Sequence, residues 1–244
     1  MSNYFYLSQY YDSLTGNVDY KRRADFLVET IKNNNLSPNS VLDAGCGTGE
    51  ISKYLIKQGY DVIGVDNSPE MLSLAREKNP EQLLLCQDIS ELDLYGTVQS
   101  IVCLQDTLNH LPDLDSVLSC IEKFALFLES GFLLFIDINS LYKHQVLLNN
   151  NAYVYDTEEV FCSWRNQHNA KDESINMILD LFRTEDGNTY YRDTEIIREI
   201  YIPIEWLKDT LCNNGFVIEN ILDGDTYQEL KEYSERIMIV ARKL

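Results

Sequence analysis

The sequence predicts an α/β fold, a doubly wound and mostly parallel seven-stranded sheet carrying an antiparallel β insertion. Three observations lead there. Between residues 40 and 139, short apolar runs alternate with stretches of helical periodicity, as in parallel sheets covered by helices on both faces. A glycine-rich turn, Gly45-Cys46-Gly47-Thr48-Gly49, joins the first run to the first following helix. After residue 150 the pattern changes to β-branched and aromatic-rich segments around an Asp186-Gly187-Asn188 turn signal.

Each element follows in order. Residues 20–32 read as a leading helix on Ala24, Leu27, Val28 and Ile31. The strands of the core fall at 40–44, 61–66, 82–86, 100–104 and 132–139. A helix over 50–58 shows Ile51, Tyr54 and Leu55 at helical spacing and stops at Gly59. The next opens at Ser68-Pro69-Glu70, where serine caps and proline suits the first helical position. A third covers 114–128 and ends at Ser130-Gly131. Residues 153–165, 175–184 and 189–202 read as an inserted antiparallel meander. The core resumes with a helix near Pro203 and strands at 216–222 and 236–241. Residues 1–150 and 203–244 thus form the core, and 151–202 the insertion.

The chain has 244 residues, 39 acidic against 20 Lys+Arg, and a net charge of -19. That balance disfavours a nucleic-acid partner, whose phosphates are held by basic side chains. With 45% hydrophobic residues the chain can build a real core. Six cysteines without a Cys-x-x-Cys pair read as buried free thiols in a reducing compartment. The N-terminal residues lack a basic flank followed by an apolar core, and no run approaches the roughly 20 apolar residues of a membrane helix. The expectation is a cytoplasmic protein that does not meet a membrane.

The chemistry concentrates at the ends of the predicted strands, the edge where such sheets bind ligands. In Val41-Leu42-Asp43-Ala44-Gly45, the acid at the strand end suits a ligand with a cationic amino group, and the spacing differs from the dinucleotide pattern Gly-x-Gly-x-x-Gly. Asp66 ends the second strand, about 20 residues on, where a carboxylate can accept both hydroxyls of a ribose. Asp88 and Ile89 follow the third strand, and Gln105, Asp106, Asn109 and His110 follow the fourth. No metal constellation stands out, and His110 reads either as a base at the site edge or as a structural histidine.

The segments VLDAGCGTG, VIGVDNSPEML, LLLCQDI and SIVCLQDTLNHL, in that order, resemble the successive motifs of class I S-adenosylmethionine-dependent methyltransferases over residues 38–140. The flanking Tyr10-Tyr11-Asp12-Ser13-Leu14, Asp137-Ile138-Asn139-Ser140 and Ser234-Glu235-Arg236 resemble a group of small bacterial methyltransferases with a β-meander over the site. The resemblance implies a Rossmann-like methyltransferase sheet and S-adenosylmethionine as cofactor. It implies that Gly45, Cys46 and Gly47, with Asp43, hold the methionine part. Asp66 would take the ribose, Asn67 and Met71 line the adenosine, Asp88 and Ile89 bracket the adenine, and Gln105 border the methionine end. Tyr11 and Tyr20 would close over the cofactor, or else pack the first helix. Gln105-Asp106-Thr107-Leu108 stands where enzymes methylating amide nitrogens of bases or protein side chains carry Pro-Pro-Tyr or Pro-Pro-Phe, which disfavours those acceptors.

The expected activity is methyl transfer to an N, O or C nucleophile of a small molecule. Asn109, Trp164, Asn166, Arg198 and Tyr201 are candidates to meet that acceptor, although a strand's outer face needs no function to explain a Trp or Arg. A nicotinamide-dependent oxidoreductase and a non-catalytic cofactor-binding regulator are the rival readings.

Overall fold

The apolar runs become strands buried on both faces, and alternate residues of one strand serve opposite sides of the sheet. The computed structural model describes residues 4–184 and 186–244. Its main sheet contains β1 (Ser40–Ala44), β2 (Asp61–Asp66), β3 (Leu83–Cys86), β4 (Val98–Cys103), β5 (Leu128–Asn139), β10 (Phe216–Asp223) and β11 (Arg236–Lys243). The order is β10-β11-β5-β4-β1-β2-β3, with β11 antiparallel to both neighbours and the other six strands running in one direction. Leu42, Ile101, Leu134 and Ile239 point to one side, against Ile121 and Phe124 of α5 (Leu114–Phe127) and Leu207 and Leu211 of α6 (Ile204–Asn213). Val41, Val102, Leu133 and Met238 point to the other, against Leu27 and Ile31 of α2 (Tyr20–Asn33) and Leu55 of α3 (Glu50–Lys57). Each such fully buried side chain contributes roughly 1.5–3 kcal/mol relative to exposure.

The helix starts follow their caps. Asp19 accepts from Arg22 N at 2.9 Å, Asp113 from Ser116 N at 2.8 Å, and Ser68 from Met71 N at 3.2 Å with Pro69 first in α4 (Pro69–Lys78). A short helix α1 (Tyr11–Leu14) follows a 3-10 turn, Leu7–Tyr10.

Two differences from the sequence expectation change how the chain divides into elements. The helix predicted through 128 ends at Phe127, because Leu128 already pairs with Val98 and the strand passes Gly131, at φ +88, through a register shift. The insertion has four strands rather than three: β6 (Ala152–Asp156), β7 (Phe161–Asn169), β8 (Ser174–Thr184) and β9 (Tyr190–Glu199), forming a separate sheet in the order β6-β7-β8-β9. The segment 153–165 breaks at Thr157, whose hydroxyl donates to Val160 O and accepts from Val160 N. One face of this sheet covers a third cluster with Leu7, Leu148, Cys162, Ile175, Leu181 and Ile197.

The carboxyl edge of the main sheet is held by one buried acid. Just past β4, Gln105 and Asp106 adopt left-handed backbone angles, φ 58 and 53. Their amides donate to the two oxygens of Asp137 in β5, at 3.0 and 2.7 Å. Arg236 of β11 bridges Asp137 at 2.9 Å and Asp106 at 2.8 Å, and Arg23 of α2 lies 3.6 Å from Asp137. Asp137 is wholly buried, so removing its carboxylate leaves two amides without their acceptor and takes from Arg236 one of its two carboxylate partners. Asp137→Ala is therefore expected to lose about 3–5 kcal/mol in denaturant unfolding. A loss below about 1 kcal/mol would show that the edge does not depend on it.

Candidate active site

The strand order reverses between β1 and β4, and the glycine turn leaves β1 at that point, where open α/β sheets bind ligands. Two glycines are required there. Gly45, at φ +74, passes so close to the segment after β4 that a Cβ would lie 2.3 Å from Thr107 Cγ2. Gly47, at φ +52, has nothing within 4 Å of its missing Cβ, so it leaves open space above the turn. The turn is fastened underneath by Gly45 and Cys46 amides donating to Val65 O, at 2.8 and 2.9 Å.

Three strand-end acids face this turn differently. Asp66 accepts from Gly47 N and Ser68 N, both at 2.9 Å, so it ties the turn to the start of α4 while facing the cavity. Burial raises its carboxyl above the usual value, and those amides partly offset the rise. Asp43 is buried and accepts from Ser52 Oγ at 2.6 Å; desolvation pushes its carboxyl up to about 6. Asp88 uses one oxygen to accept from Ser90 N and Ser90 Oγ, at 2.8 and 2.7 Å, which shapes the turn carrying Ile89. The Cys46 thiol is pushed well up by burial and stays neutral.

All twelve residues expected at the cofactor line one of two adjoining hollows. Tyr11, Gly45, Gly47, Asp66, Asn67, Met71, Asp88, Ile89 and Gln105 line a cavity of about 340 Å³. Tyr20, Asp43 and Cys46 line a niche of about 40 Å³ that Tyr11, Gly45, Gly47 and Gln105 share. The niche is lined by one acid, Asp43, and the cavity by two, Asp66 and Asp88. That polarity fits a long ligand with a cationic amine at one end and a ribose toward the other. Gln105 Oε1 is buried with no hydrogen-bond partner among the described residues, leaving an acceptor aimed at neither strand nor helix.

The N-terminal segment and the second sheet roof the cavity. Tyr6 and Leu7 amides donate to Glu195 of β9 at 2.6 and 3.1 Å, while Asp12 of α1 accepts from Thr48 Oγ1 at 2.6 Å and pairs with Lys78. Tyr4, Gln87, Thr107, His110, Leu111 and Ile197 complete the lining. Sequence reasoning missed Tyr4, Thr107, Leu111, Ile197 and the Asp12–Thr48–Lys78 fastening. The four motifs named only residues next to the strands, and the N-terminal aromatic repeat was the one available signal.

None of the five acceptor candidates lines this cavity or its niche. Asn109 is wholly buried, donating to Ile200 O and accepting from Asn139 N at 2.9 Å each, so it fastens β5 to the end of the insertion. Trp164 Nε1 donates to Asn166 Oδ1, and Asn166 Nδ2 donates to Leu148 O, so this pair spends its polar groups on the insertion itself. Arg198 donates to Pro112 O and pairs with Asp172 at 3.0 Å, and the Tyr201 ring lies 5.7 Å from that of His144. All six cysteines are free, but Cys86 and Cys212 are exposed rather than buried as expected. Asp106, His110 and Glu199 bring ligand atoms within 4.8 Å of one another; Arg236 and Lys143 already balance these acids, which leaves little field for a divalent ion.

Comparison with known proteins agrees with this arrangement. Residues 41–127 match the family model described as a methyltransferase domain. A relative from Geobacillus sp. (strain WCH70) that bears a methyltransferase name is 29% identical over 240 residues, covering 96% of this chain and 97% of its own. The glycine/sarcosine N-methyltransferase of Parasynechococcus marenigrum (strain WH8102) is 29% identical over 140 residues, 53% of this chain and 49% of that one. The crystal structure of an S-adenosylmethionine-dependent methyltransferase from Clostridium acetobutylicum ATCC 824 superposes with a TM-score of 0.87 at 32% identity, over 96% of each chain. The nicotinamide and regulatory readings give way, and the chain belongs to the class I S-adenosylmethionine-dependent methyltransferases.

Proposed function

We propose that this enzyme methylates a small molecule held beneath the second sheet, with its cofactor lying across the cavity and the niche. The observation that carries this reading is the convergence of twelve residues from the N-terminal segment and four strand ends on two connected hollows. Asp66 accepts the ribose hydroxyls, Asp88 and the Ile89 amide bracket the adenine, Asn67 and Met71 line the adenosine, and Gly45 and Gly47 bring backbone against the methionine. Asp43 faces the amine in the niche, with Tyr20 and Cys46 beside it. Residues 151–202 serve as the substrate roof over a core formed by 1–150 and 203–244. Methylation of glycine and sarcosine by a relative supports a small acceptor. The acid excess speaks against nucleic acid, and free thiols fit a cytoplasmic setting. No helix among the described residues is long and apolar enough to cross a membrane.

Bound there, S-adenosylmethionine supplies a methyl group on a positively charged sulfur, which is a good leaving group. The chain's contribution is then largely positional. Tyr11 and Gln105 wall the junction of cavity and niche, and the roof excludes water from it. Orientation of this kind provides effective molarities of about 10⁵ M or more.

Two calorimetric titrations with S-adenosylmethionine test this placement. Asp66→Ala is expected to weaken binding about 10- to 100-fold, since hydrogen bonds to a charged group are lost; affinity equal to that of the unaltered protein would remove Asp66 from the site. The Asp43 carboxyl, raised to about 6 in the free protein, must ionise to meet the amine. Affinity should therefore be fully developed above about pH 6 and decline as pH falls through it. Asp43→Asn should abolish that decline, and a pH-independent affinity in the unaltered protein would count against the contact.

A further inference from the structure

We propose that the methyl acceptor is an acid, and that its anionic group, a carboxylate or a phosphate, is held by Arg236, Lys143 and Arg22 in a second hollow that meets the cofactor site at Gln105. This rests on the cofactor placement above. With the cofactor lying across the cavity and the niche, the acceptor needs room beside their junction, and the hollow there measures about 330 Å³, close to the 340 Å³ of the cavity. Gln105 is the one described residue that lines all three. The partition is therefore a single side chain. Its Oε1, buried with no hydrogen-bond partner among the described residues, is free to accept from a molecule that passes it.

The walls of this hollow come from distant parts of the chain. Arg22 lies near the start of α2, Arg236 begins β11, and Lys143 begins the π-helical turn Lys143–Leu148 that follows β5. Arg236 is 7% exposed. Its Nη1 donates to both Asp106 and Asp137, at 2.8 and 2.9 Å, whereas Nε and Nη2 hold no hydrogen bond among the described residues. Those two nitrogens are not sealed in protein either, so they open on the hollow that the residue lines. Nε and Nη2 form one edge of the guanidinium plane, the fork to which carboxylates and phosphates bind by two parallel hydrogen bonds. Lys143 Nζ donates to the neutral Asn139 Oδ1 at 2.8 Å, and Arg22 Nη2 to Thr226 O at 3.2 Å; neither cation is in an ion pair among the described residues.

The charges around the hollow nearly cancel, and what is in surplus is donors. Asp106 and Asp137 meet Arg236 at Nη1, Asp225 accepts from Arg23 Nη2 at 2.9 Å, Asp19 accepts from the Arg22 amide at 2.9 Å, and Glu235 is exposed. The carboxylates of the wall are thus already bonded within the protein, while Arg236, Lys143 and Arg22 keep donors for a ligand that brings its own acceptors. An anion takes these bonds better than a neutral group, because hydrogen bonds between ionised partners are shorter and stronger. Asp66 and Asp43, on the cofactor side of Gln105, repel the same anion. An acidic acceptor is therefore oriented with its anion in the hollow and its other end toward the methyl group.

The test uses methyl-labelled S-adenosylmethionine and two probes, the retained and the unretained fractions of a protein-free small-molecule extract of bacterial cells passed over an anion exchanger at neutral pH. The unreacted cofactor carries net positive charge and is not retained, so label that later binds the exchanger is product. Labelled product is expected from the retained fraction alone, and is itself retained because the anion lies away from the methyl. Treating that fraction beforehand with alkaline phosphatase separates the two anions: transfer is abolished for a phosphate and undiminished for a carboxylate. Lys143→Gln should raise the amount of retained fraction needed for half-maximal rate about 10-fold, and Arg22→Gln should raise it too, with the maximal rate and the affinity for S-adenosylmethionine unchanged. Product from the unretained fraction, a product that is not retained, no product from either fraction by protein that binds the cofactor, or half-saturation unmoved in both variants would each overturn the proposal. Failure to bind S-adenosylmethionine at all would instead strike the cofactor placement, and the proposal with it.

Discussion

At the carboxyl edge of the sheet a single carboxylate, Asp137, accepts from two backbone amides and from the Arg236 guanidinium at once, with Arg23 3.6 Å away. The amides belong to Gln105 and Asp106, whose left-handed angles are sparsely populated for residues with side chains. Without a buried acceptor directly beneath them, that stretch would relax, and the floor of the site would relax with it. Thr107 sits against Gly45, Gln105 reaches the cofactor niche, and His110 ends the same turn. The glycine turn, the niche and the cavity wall are therefore registered against one another through one side chain in β5. Although burial works against it, the charges of Arg236 and Lys143 hold the Asp106 carboxyl well below the usual range. That keeps the edge ionised and hydrogen-bonded, a state that buried acids reach only with such partners.

The sheet, and the gathering of the strand-end residues at two hollows on its edge, were legible in the sequence because both are local. A strand, its turn and the cap of the next helix are contiguous, and a strand-end acid is visible as soon as the strand is. The insertion was legible as a change of composition, although its first hairpin was not, since the turn at Thr157 contains neither glycine nor proline. The roof side was harder to read. Arg236 finds Asp137 and Asp106 across 99 and 130 residues, and nothing in the spacing of these residues marks them as partners. Asn109 shows the opposite error. A polar residue just past a strand suggests ligand contact, yet the 3-10 turn folds it under the sheet, where it joins two backbone segments. Trp164 and Asn166 lie two apart on one strand and so share a face, a spacing that already permits them to bind each other.

The charge of -19 is distributed with a purpose at the site and without one elsewhere. Asp43 and Asp66 are each raised by burial, and they line the niche and the cavity respectively. The cations that balance the edge, Arg23, Arg236 and Lys143, line a second cavity of about 330 Å³ on the far side of Gln105. Acids therefore line the cavity and the niche, and the bases that balance the edge lie beyond Gln105.

The bond from the Tyr6 amide to Glu195 spans 189 residues. A contact that distant carries a large loop-closure cost and cannot form until nearly the whole chain is available. The βα units of the core, by contrast, close over short separations. During synthesis the Tyr6 and Leu7 amides must wait, unpaired, for the strand of the insertion that will receive them. The enclosed reaction chamber is therefore the last part of this molecule to come into existence, and the part whose opening demands the least disruption of what was built before it.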